Sequence, residues 1–205
     1  MLTVNRYVVP SEETWDIVIN GMRNPMNSWS RIDSNGSHLG EIDEDLMLRL
    51  IRLGSEHRKY LRMLPVVVNL TAPMYWLKEA DTYKVGTTSN STSTMHRISE
   101  KEFELSDFST EHLNMANLNR LVGIIEGLNE ARDYFRASKD KDWWWQMIQL
   151  LPSSYNQTRT ISLNYEVLGT IYHQRKNHKL DEWKTFCEWI ETLPNAYLLT
   201  EGVWS

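Results

Sequence analysis

The residues best suited to hold a polar ligand are the short hydroxyl and amide side chains of the run Thr87–Thr94, which reads TTSNSTST. Such a run has little apolar surface to bury, and it places many hydrogen-bond donors and acceptors close to the backbone. Loops of this composition on a rigid scaffold commonly hold polar ligands. A solvated Ser/Thr loop is the simpler interpretation, so the rest of the chain has to decide between the two.

Other polar or charged positions suggest chemistry, and each also has an ordinary structural explanation. Arg175 offers a guanidinium for a ligand, or a helix-end charge beside the backbone carbonyls. Asn164 must satisfy its amide with either a ligand or a neighbouring helix. His96 follows the hydroxyl run and either contacts a phosphate or is a simple loop residue. Glu56 and His57 suit a general base and the group that orients it, although a surface charge cluster is the preferred explanation.

The composition argues against several classes of function. Of the 205 residues, 41% are hydrophobic and 24% are charged, which is ordinary for a soluble globular protein. The net charge of -5 argues against binding a nucleic-acid polymer. A single cysteine, Cys187, and six histidines without ligand spacing predict no metal site. Ser93 lacks the G-x-S-x-G pattern of a hydrolase nucleophile.

The same sequence predicts no contact with membranes. No apolar run approaches the length of a membrane span, and the N-terminal stretch MLTVNRYVVPSEETW lacks a basic region followed by an apolar block. We therefore expect a cytoplasmic protein, located in the host cytoplasm if a virus encodes it.

Hydrophobic patterning predicts one α+β domain over residues 1–205, mostly helical around a small sheet. The predicted strands are Leu2–Val9 and Leu64–Leu70. Ser153–Thr160 is expected to be a polar connection. Two helices are predicted to begin near Ser11 and Ser109. The other predicted helices span Asp43–Leu53, Met74–Tyr83, Trp143–Leu151, Ile161–Arg175 and Leu180–Leu193.

The second of these helices carries an apolar stripe of Leu46, Leu50 and Leu53 at helical spacing, which we expect to face the core. Gly54 follows it as a plausible C-terminal cap. In the helix predicted over 161–175, the expected buried face is Leu163, Val167, Leu168, Ile171 and Tyr172.

The order of these features resembles the flavin-dependent thymidylate synthases. That family has a signature of the form R-H-R-x-x-S-x-N-E-x-S-x-R-Y, which follows a helix that starts at a proline. Here Pro73 opens the segment, and NSTSTMH retains the Asn and Ser of the signature as Asn90 and Ser93. Upstream, LTAPMYWLKE resembles the strand-to-helix entry of the family, and DEDLMLRLIRLGSEH resembles the segment before it.

A second match lies in the C-terminal half of the chain. The family has Leu-Pro, an Asn twelve residues after the proline, a Leu four further on and an Arg seven beyond that. This chain has Leu151-Pro152, Asn164, Leu168 and Arg175 at that spacing. The resemblance covers roughly residues 40 to 195. It implies that Asn164 lies by a flavin, that Arg175 helps to bind a uracil nucleotide, and that the chain forms a homotetramer with pockets between subunits.

The chain departs from the family where phosphate-binding arginines are expected. The R-H-R triplet is replaced by residues around Thr82, Tyr83 and Lys84, and Met95 stands in place of the second-to-last signature residue. The family's Asn-x-Arg pair is Asn164-Tyr165-Glu166 here, and its A-R-x-x-L-P arginine falls near Ile148. Arginine is the residue suited to bidentate phosphate recognition, so these changes remove contacts for the diphosphate of FAD and the phosphate of dUMP, and we expect FAD to bind weakly or not at all.

The resemblance places the hydroxyl run beside the Asn164–Arg175 segment, and we predict that a nucleotide-like anion binds between them. Hydroxyls donate to phosphate or sugar oxygens, Lys84 and Arg175 supply charge, and Tyr83 or Trp76 offers a ring face to a base. The candidate nucleotide-binding residues are Tyr83, Lys84, Thr87, Asn90, Ser91, Ser93, His96, Asn164 and Arg175.

Three functions are compatible with these residues. The first is a divergent binding protein that has lost catalysis and sequesters or senses a nucleotide, as a phage-encoded inhibitor of nucleotide signalling would. The second is an active FAD-dependent synthase that methylates dUMP. The third is a structural homo-oligomer with an empty pocket. The nine tryptophans favour an oligomer in any case, because the consecutive Trp143–Trp145 point in three directions on a helix and at least one should face a partner subunit or a ligand.

Overall fold

The computed structural model describes residues 1–201 and 204. Of the described residues, 52% are helical, and they include one small antiparallel sheet, which confirms the predicted α+β class. The four strands are β1 (Thr3–Val8), β2 (Pro65–Pro73), β3 (Thr88–Ser91) and β4 (Asn156–Asn164), and they lie in the order β1-β2-β4-β3.

The helices within the described residues fall between and after these strands. They are α1 (Glu12–Arg23), α2 (Glu41–Arg52), α3 (Met74–Ala80), α4 (Met115–Ser138), α5 (Lys141–Leu150), α6 (Tyr165–Arg175), α7 (Asp181–Ile190) and α8 (Tyr197–Thr200). Short 3-10 helices cover Asn24–Met26, Trp29–Arg31, Arg58–Met63 and Leu105–Asp107.

The chain divides into two compact units. Unit 1 contains residues 1–3, 71–80 and 91–159, and unit 2 contains residues 4–70, 81–90 and the chain from 160 onward. The division falls inside all four strands. The prediction of a single domain stays a prediction.

Strand β2 shows why this part of the sequence forms sheet. Its side chains alternate, with Val66, Val68, Leu70 and Ala72 fully buried and Val67 39% exposed, as the two faces of a strand require. The strand predicted over 64–70 is therefore confirmed in type, and it continues three residues further.

The side chains of β2 and β4 fix the register between the two strands. In unit 2 the Asn69 amide donates to the Thr160 hydroxyl at 2.9 Å, and in unit 1 the Thr71 and Thr158 hydroxyls lie 3.0 Å apart. The partner residue number in β4 falls by two, from 160 to 158, as the residue number in β2 rises by two, from 69 to 71. The two strands are therefore antiparallel.

Strand β4 corrects two predictions, the polar connection over 153–160 and the helix over 161–175. The chain is strand from Asn156 to Asn164, and helix α6 begins only at Tyr165. Gln157 and Ile161 are buried between more exposed neighbours, and Leu163 continues the alternation two residues on, which is the period of a strand. The segment looks like a loop because the Thr and Arg residues between them are polar.

Helix α1 follows the sequence closely. Ser11 caps it by accepting a hydrogen bond from the Thr14 backbone N–H at 3.3 Å, and the buried face is Trp15, Val18, Ile19 and Met22. The two glutamates in its first turn interact favourably with the positive end of the helix dipole and stabilise the start of the helix. The predicted start at Ser11 is confirmed.

Helix α2 corrects the predicted core face. Its buried residues are Asp43, Met47 and Ile51, whereas Leu53 is 57% exposed and Leu46 and Leu50 are half-buried. The helix is apolar on two faces, so spacing alone selects the wrong one. Gly54 follows α2 with a left-handed φ of 99°, as expected of a C-terminal cap.

Unit 1 is built around helices α4 and α5. Helix α4 starts at Met115 with Asn114 as its cap, six residues after the predicted start near Ser109. The apolar core of this unit contains Ile98, Phe103, Phe108, Leu121, Ile125, Leu128, Ala131 and Met147.

Candidate functional site

In unit 2, the turn that follows α3 is attached to the end of α6 through Tyr83. The Tyr83 hydroxyl donates to Gln174 Oε1 at 2.9 Å and accepts a hydrogen bond from Arg175 Nε at 2.8 Å. The predicted helix over 74–83 ends earlier, at Ala80, which frees Tyr83 to take this position. Two of the predicted ligand-binding residues, Tyr83 and Arg175, are therefore in direct contact.

Arg175 is also enclosed by aromatic rings. Its guanidinium carbon lies 4.9 Å from the centre of the Trp183 ring and 5.7 Å from that of Tyr83, and the two rings meet edge to face at 5.9 Å. Cation–π contacts of this kind favour a charged group. We call Tyr83, Arg175 and Trp183 the arginine cluster. Arg175 and Tyr83 are half-buried, so the cluster reaches the surface of the unit.

Asn164 lies at the N-terminal end of α6, the helix whose C-terminal end carries Arg175. It caps α6, because its Oδ1 accepts from the Val167 backbone N–H at 3.0 Å, while its Nδ2 donates to the Val85 carbonyl at 3.0 Å. Gly86 has a left-handed φ of 69°, and a Cβ there would lie 2.9 Å from Asn164 Nδ2. The buried Asn164 amide is thus satisfied within the protein.

The remaining predicted residues of unit 2 are more exposed. The Thr87 hydroxyl donates to the Tyr83 carbonyl at 2.7 Å and tightens the turn. Lys84 and Asn90 are exposed. Lys84 is next to Tyr83 in the chain, so it adds a solvated ammonium group beside the arginine cluster.

In unit 1, the second half of the hydroxyl run is already hydrogen-bonded. Ser91 accepts from Arg159 Nε at 2.7 Å, and Ser93 accepts from the backbone N–H groups of Met95 and His96 at 3.2 and 2.9 Å. His96 itself is exposed. The expected loop is partly wrong, because Thr88–Ser91 is strand β3. The assignment of Ser91, Ser93 and His96 to a ligand stays a prediction.

Three of the positions where the resemblance expects arginines are occupied by groups that do not donate to phosphate: Glu166, Ile148 and Met95. Glu166 is buried and accepts hydrogen bonds from Arg58 at 3.3 Å and from Arg62. Ile148 packs against the core of unit 1, and Met95 is 46% exposed. Glu166 is negative where the resemblance expects a positive arginine, and its carboxylate pairs with two arginines of the same unit.

A second buried ion pair joins the end of α1 to the start of α2 and so brackets the loop between them. Asp43 accepts from Arg23 Nε at 2.6 Å, from the Ser34 hydroxyl at 2.8 Å, and from the backbone N–H groups of Asp33 and Ser34 at 3.0 Å. Burial raises the pKa of Asp43, but these hydrogen bonds and the guanidinium outweigh it, so the pKa is lowered. The pair orders the loop.

Sequence reasoning missed three residues that surround the candidate ones: Gln174, Trp183 and Arg159. The contact of Trp183 with Arg175 leaves no spacing signal in the sequence, because it crosses between α6 and α7. Arg159 was missed because β4 was read as a connection. The strand period of β4 was the signal that would have placed Arg159 beside Ser91.

The tryptophan triplet on α5 does point in several directions. Trp143 stacks on Tyr134 with ring centres 4.4 Å apart, and Trp144 Nε1 donates to the Met95 carbonyl at 3.0 Å. Trp145 is 41% exposed. Contact of this surface with a partner subunit stays a prediction.

The described residues contain no group of three histidine, cysteine, aspartate or glutamate side chains arranged to hold a metal ion. Within the same residues, every helix is too short or too polar to cross a membrane.

The fold is that of the flavin-dependent thymidylate synthases. The chain matches the flavin-dependent thymidylate synthase ThyX of Helicobacter pylori, in a complex with FAD and dUMP, at a TM-score of 0.64 and 19% identity, covering 96% of this chain and 95% of that one. A second structure of the same enzyme with FAD and dUMP gives 0.66 and 20%, covering 96% and 94%.

A related enzyme shares the fold. The UMP/dUMP methylase PolB of Streptomyces cacaoi, bound with 5-Br dUMP, matches at a TM-score of 0.62 and 12% identity over 100% of this chain and 97% of that one. No protein-family model and no curated protein sequence matches the chain. The predicted resemblance is confirmed at the level of the fold, and the low identity agrees with a divergent chain.

Proposed function

We propose that this protein binds a nucleotide through the arginine cluster and that it does not catalyse thymidylate synthesis. The observation that carries the proposal is the contact between Tyr83 and Arg175, two residues that the sequence singled out from segments 92 positions apart. Support comes from the fold, since the matching proteins are enzymes solved with dUMP, FAD or 5-Br dUMP.

The chemistry of the cluster suits a nucleotide. The Tyr83 hydroxyl and the Trp183 ring limit the rotation of the guanidinium, so less conformational entropy is lost when Arg175 binds an anion. Lys84 adds a second positive charge on a flexible stem. The Tyr83 ring face suits stacking on a base.

The proposed loss of catalysis rests on the groups that replace the family's arginines. FAD carries a diphosphate, and this chain presents a thioether at Met95, an aliphatic side chain at Ile148 and a buried carboxylate at Glu166. None of these donates a hydrogen bond to phosphate, and a buried carboxylate repels it. These residues do not fit FAD, so we derive no flavin chemistry from them.

A thermal-shift screen of mono-, di- and cyclic nucleotides tests the binding proposal. A ligand that binds only the folded state raises the melting temperature, and the rise grows with the logarithm of the ligand concentration above Kd. We expect at least one nucleotide to stabilise the protein and to lose this effect in Arg175→Ala. The control is Arg120→Ala, because Arg120 is an exposed arginine on α4 that bonds only locally, to Asn117. No shift with any nucleotide would remove the proposal.

The absorption spectrum of the purified protein decides between binding protein and synthase. Oxidised flavin absorbs visible light through its own ring system. We expect a colourless protein that stays colourless after dialysis against FAD. A yellow protein with stoichiometric FAD would favour the alternative, an active FAD-dependent synthase acting on dUMP.

A protein that binds a nucleotide without converting it can act by sequestering or sensing that nucleotide, as a virus-encoded inhibitor of nucleotide signalling does. We propose this role in the cytoplasm, with the chain as a homo-oligomer, a tetramer by resemblance. The exposed Trp145 supports an interface, because exposed aromatic side chains are enriched there. Light scattering that finds a dilute monomer would leave a monomeric binding protein.

A further inference from the structure

Unit 2 contains a cleft of about 890 Å³ that the nucleotide proposal does not use. It is lined by the end of α1, by one face of α2 and by the segments on either side of them. Its size lies within the range of roughly 300–1,000 Å³ that is typical of small-molecule sites. The apolar lining residues are Met22, Met26, Ile42, Leu46, Leu50, Leu53 and Met63.

The cleft explains the second apolar face of α2. Ile42, Leu46, Leu50 and Leu53 recur at helical spacing and would be expected in the core, but the core face of this helix is formed by other residues. Ile42 is 43% and Leu53 57% exposed. A helix that is apolar on an unburied face has a further surface to cover.

The charged groups of the cleft favour an anion. Arg31, Arg49 and Lys59 line it, and none of the three forms an ion pair within the part of the chain that the structure describes. Asp45 and Glu56 line it as well, so the exposed positive groups outnumber the negative ones in a chain whose net charge is negative.

One buried group of the lining lacks a hydrogen-bond partner. Arg23 is 2% exposed, and its Nε is bound by Asp43, while Nη1 reaches Ser28 at 3.4 Å. Nη2 finds no acceptor among the described residues. Nη2 has almost no solvent-accessible surface, so Arg23 lines the cleft through its other atoms and Nη2 is not open to a ligand there.

We propose that the cleft is a second ligand site, which takes an organic anion with an apolar body, such as a medium-chain carboxylate. The apolar body covers the exposed face of α2, and the carboxylate is drawn to the exposed cations Arg49, Arg31 and Lys59. This site is separate from the arginine cluster and does not depend on nucleotide binding.

Gly21 allows the cleft to be filled without disturbing the fold. It lines this cleft and a smaller adjoining hollow of about 540 Å³, and a Cβ at this position meets no atom within 4 Å. Gly21→Phe therefore places a ring in open space. Gly21→Ala is the matched control, because it adds only a methyl group and removes the entropic disadvantage of glycine in a helix.

Isothermal titration calorimetry with decanoate tests the proposal, with decan-1-ol as the neutral probe of equal length. We expect decanoate to bind at least tenfold more tightly than decan-1-ol. Gly21→Phe should abolish binding and Gly21→Ala should preserve it. Arg49→Ala should weaken decanoate about tenfold, while Arg52→Ala, an exposed arginine on the same helix outside the cleft, should leave it unchanged.

Three results would overturn the proposal. The first is that decanoate does not bind, and the second is that both probes bind equally, which describes an apolar surface without anion selectivity. The third is that sedimentation shows a self-associated protein that Gly21→Phe dissociates and that decanoate does not bind. In that case a second copy of the chain covers the cleft. Nucleotide binding is unaffected in all three.

Discussion

Two arginines of the same compact unit show two different uses of a guanidinium. Arg23 is 2% exposed, and a carboxylate that is itself fully buried binds it. Arg175 is half-buried, and the contacts that position it include a neutral hydroxyl and two aromatic rings. A buried charge pair chiefly orders the fold, whereas a charge that packs on aromatic rings and reaches the surface of its unit is positioned for a ligand.

The comparison separates stability from binding, so substitutions at the two arginines should have their main effects in different assays. Changes at the Arg23–Asp43 pair should lower the free energy of unfolding with secondary effects on binding. Changes at the arginine cluster should lower nucleotide affinity while the fold survives.

The largest effect is expected for Asp43→Ala. It leaves the Arg23 guanidinium buried without its carboxylate and removes the acceptor for Ser34 and for the backbone of the 33–34 turn. Breaking one side of a buried pair costs about 3–5 kcal/mol. Urea unfolding followed by circular dichroism measures this loss. A change below about 1 kcal/mol, the range of exposed ion pairs, would show that the pair does not order the loop.

The same pair predicts how stability responds to acid. The pKa of Asp43 is lower in the folded state than its ordinary value of 3.8. Its contribution to stability is therefore present above that value and is lost as the pH falls through the folded-state pKa. Melting temperatures between pH 7 and pH 3 should fall more steeply for the wild type than for Asp43→Asn, which cannot titrate. Parallel profiles for the two proteins would contradict this assignment.

Arg175→Ala is the corresponding change in the binding region. Charge-assisted hydrogen bonds contribute about 1.5–3 kcal/mol, so nucleotide affinity should fall roughly ten- to a hundredfold. The melting temperature should change much less than in Asp43→Ala. If Arg175→Ala unfolds the protein instead, Arg175 serves the fold and the contrast with Arg23 disappears.

Tyr83→Phe should have the smallest effect. It keeps the ring that packs against Trp183 and removes only the hydroxyl that holds Arg175 Nε and Gln174. A hydrogen bond of this kind contributes about 0.5–1.5 kcal/mol, so nucleotide affinity should fall about two- to tenfold. Calorimetry measures it, and a loss as large as that of Arg175→Ala would mean that Tyr83 contacts the ligand itself.

The sequence was sufficient for the features that local patterns encode. The capped start of α1 at Ser11 and the alternating strand β2 were predicted from spacing and residue type. The family's fold was predicted from the order of a few residues along the chain, Asn164 and Arg175 among them, and structures only 12–20% identical to the chain share that fold.

The features that the sequence did not reveal depend on contacts between distant segments. Strand β4 has polar residues between its buried ones, so its sequence resembles that of a loop. The pairing with neighbouring strands, which defines it as a strand, is not visible in the sequence. The core face of α2 cannot be chosen from a helix that is apolar on two sides. The Arg23–Asp43 and Arg175–Tyr83 contacts join residues 20 and 92 positions apart, and no spacing rule connects such positions.

The most direct test of the account is a calorimetric titration of dUMP, or of the best nucleotide from the screen, into three proteins. We predict saturable binding to the wild type and equal binding to Arg120→Ala. In Arg175→Ala we predict a nucleotide affinity that is reduced roughly ten- to a hundredfold while the protein stays folded. Absence of nucleotide binding to the wild type, or equal affinity in Arg175→Ala, would contradict the claim that the arginine cluster is a nucleotide site.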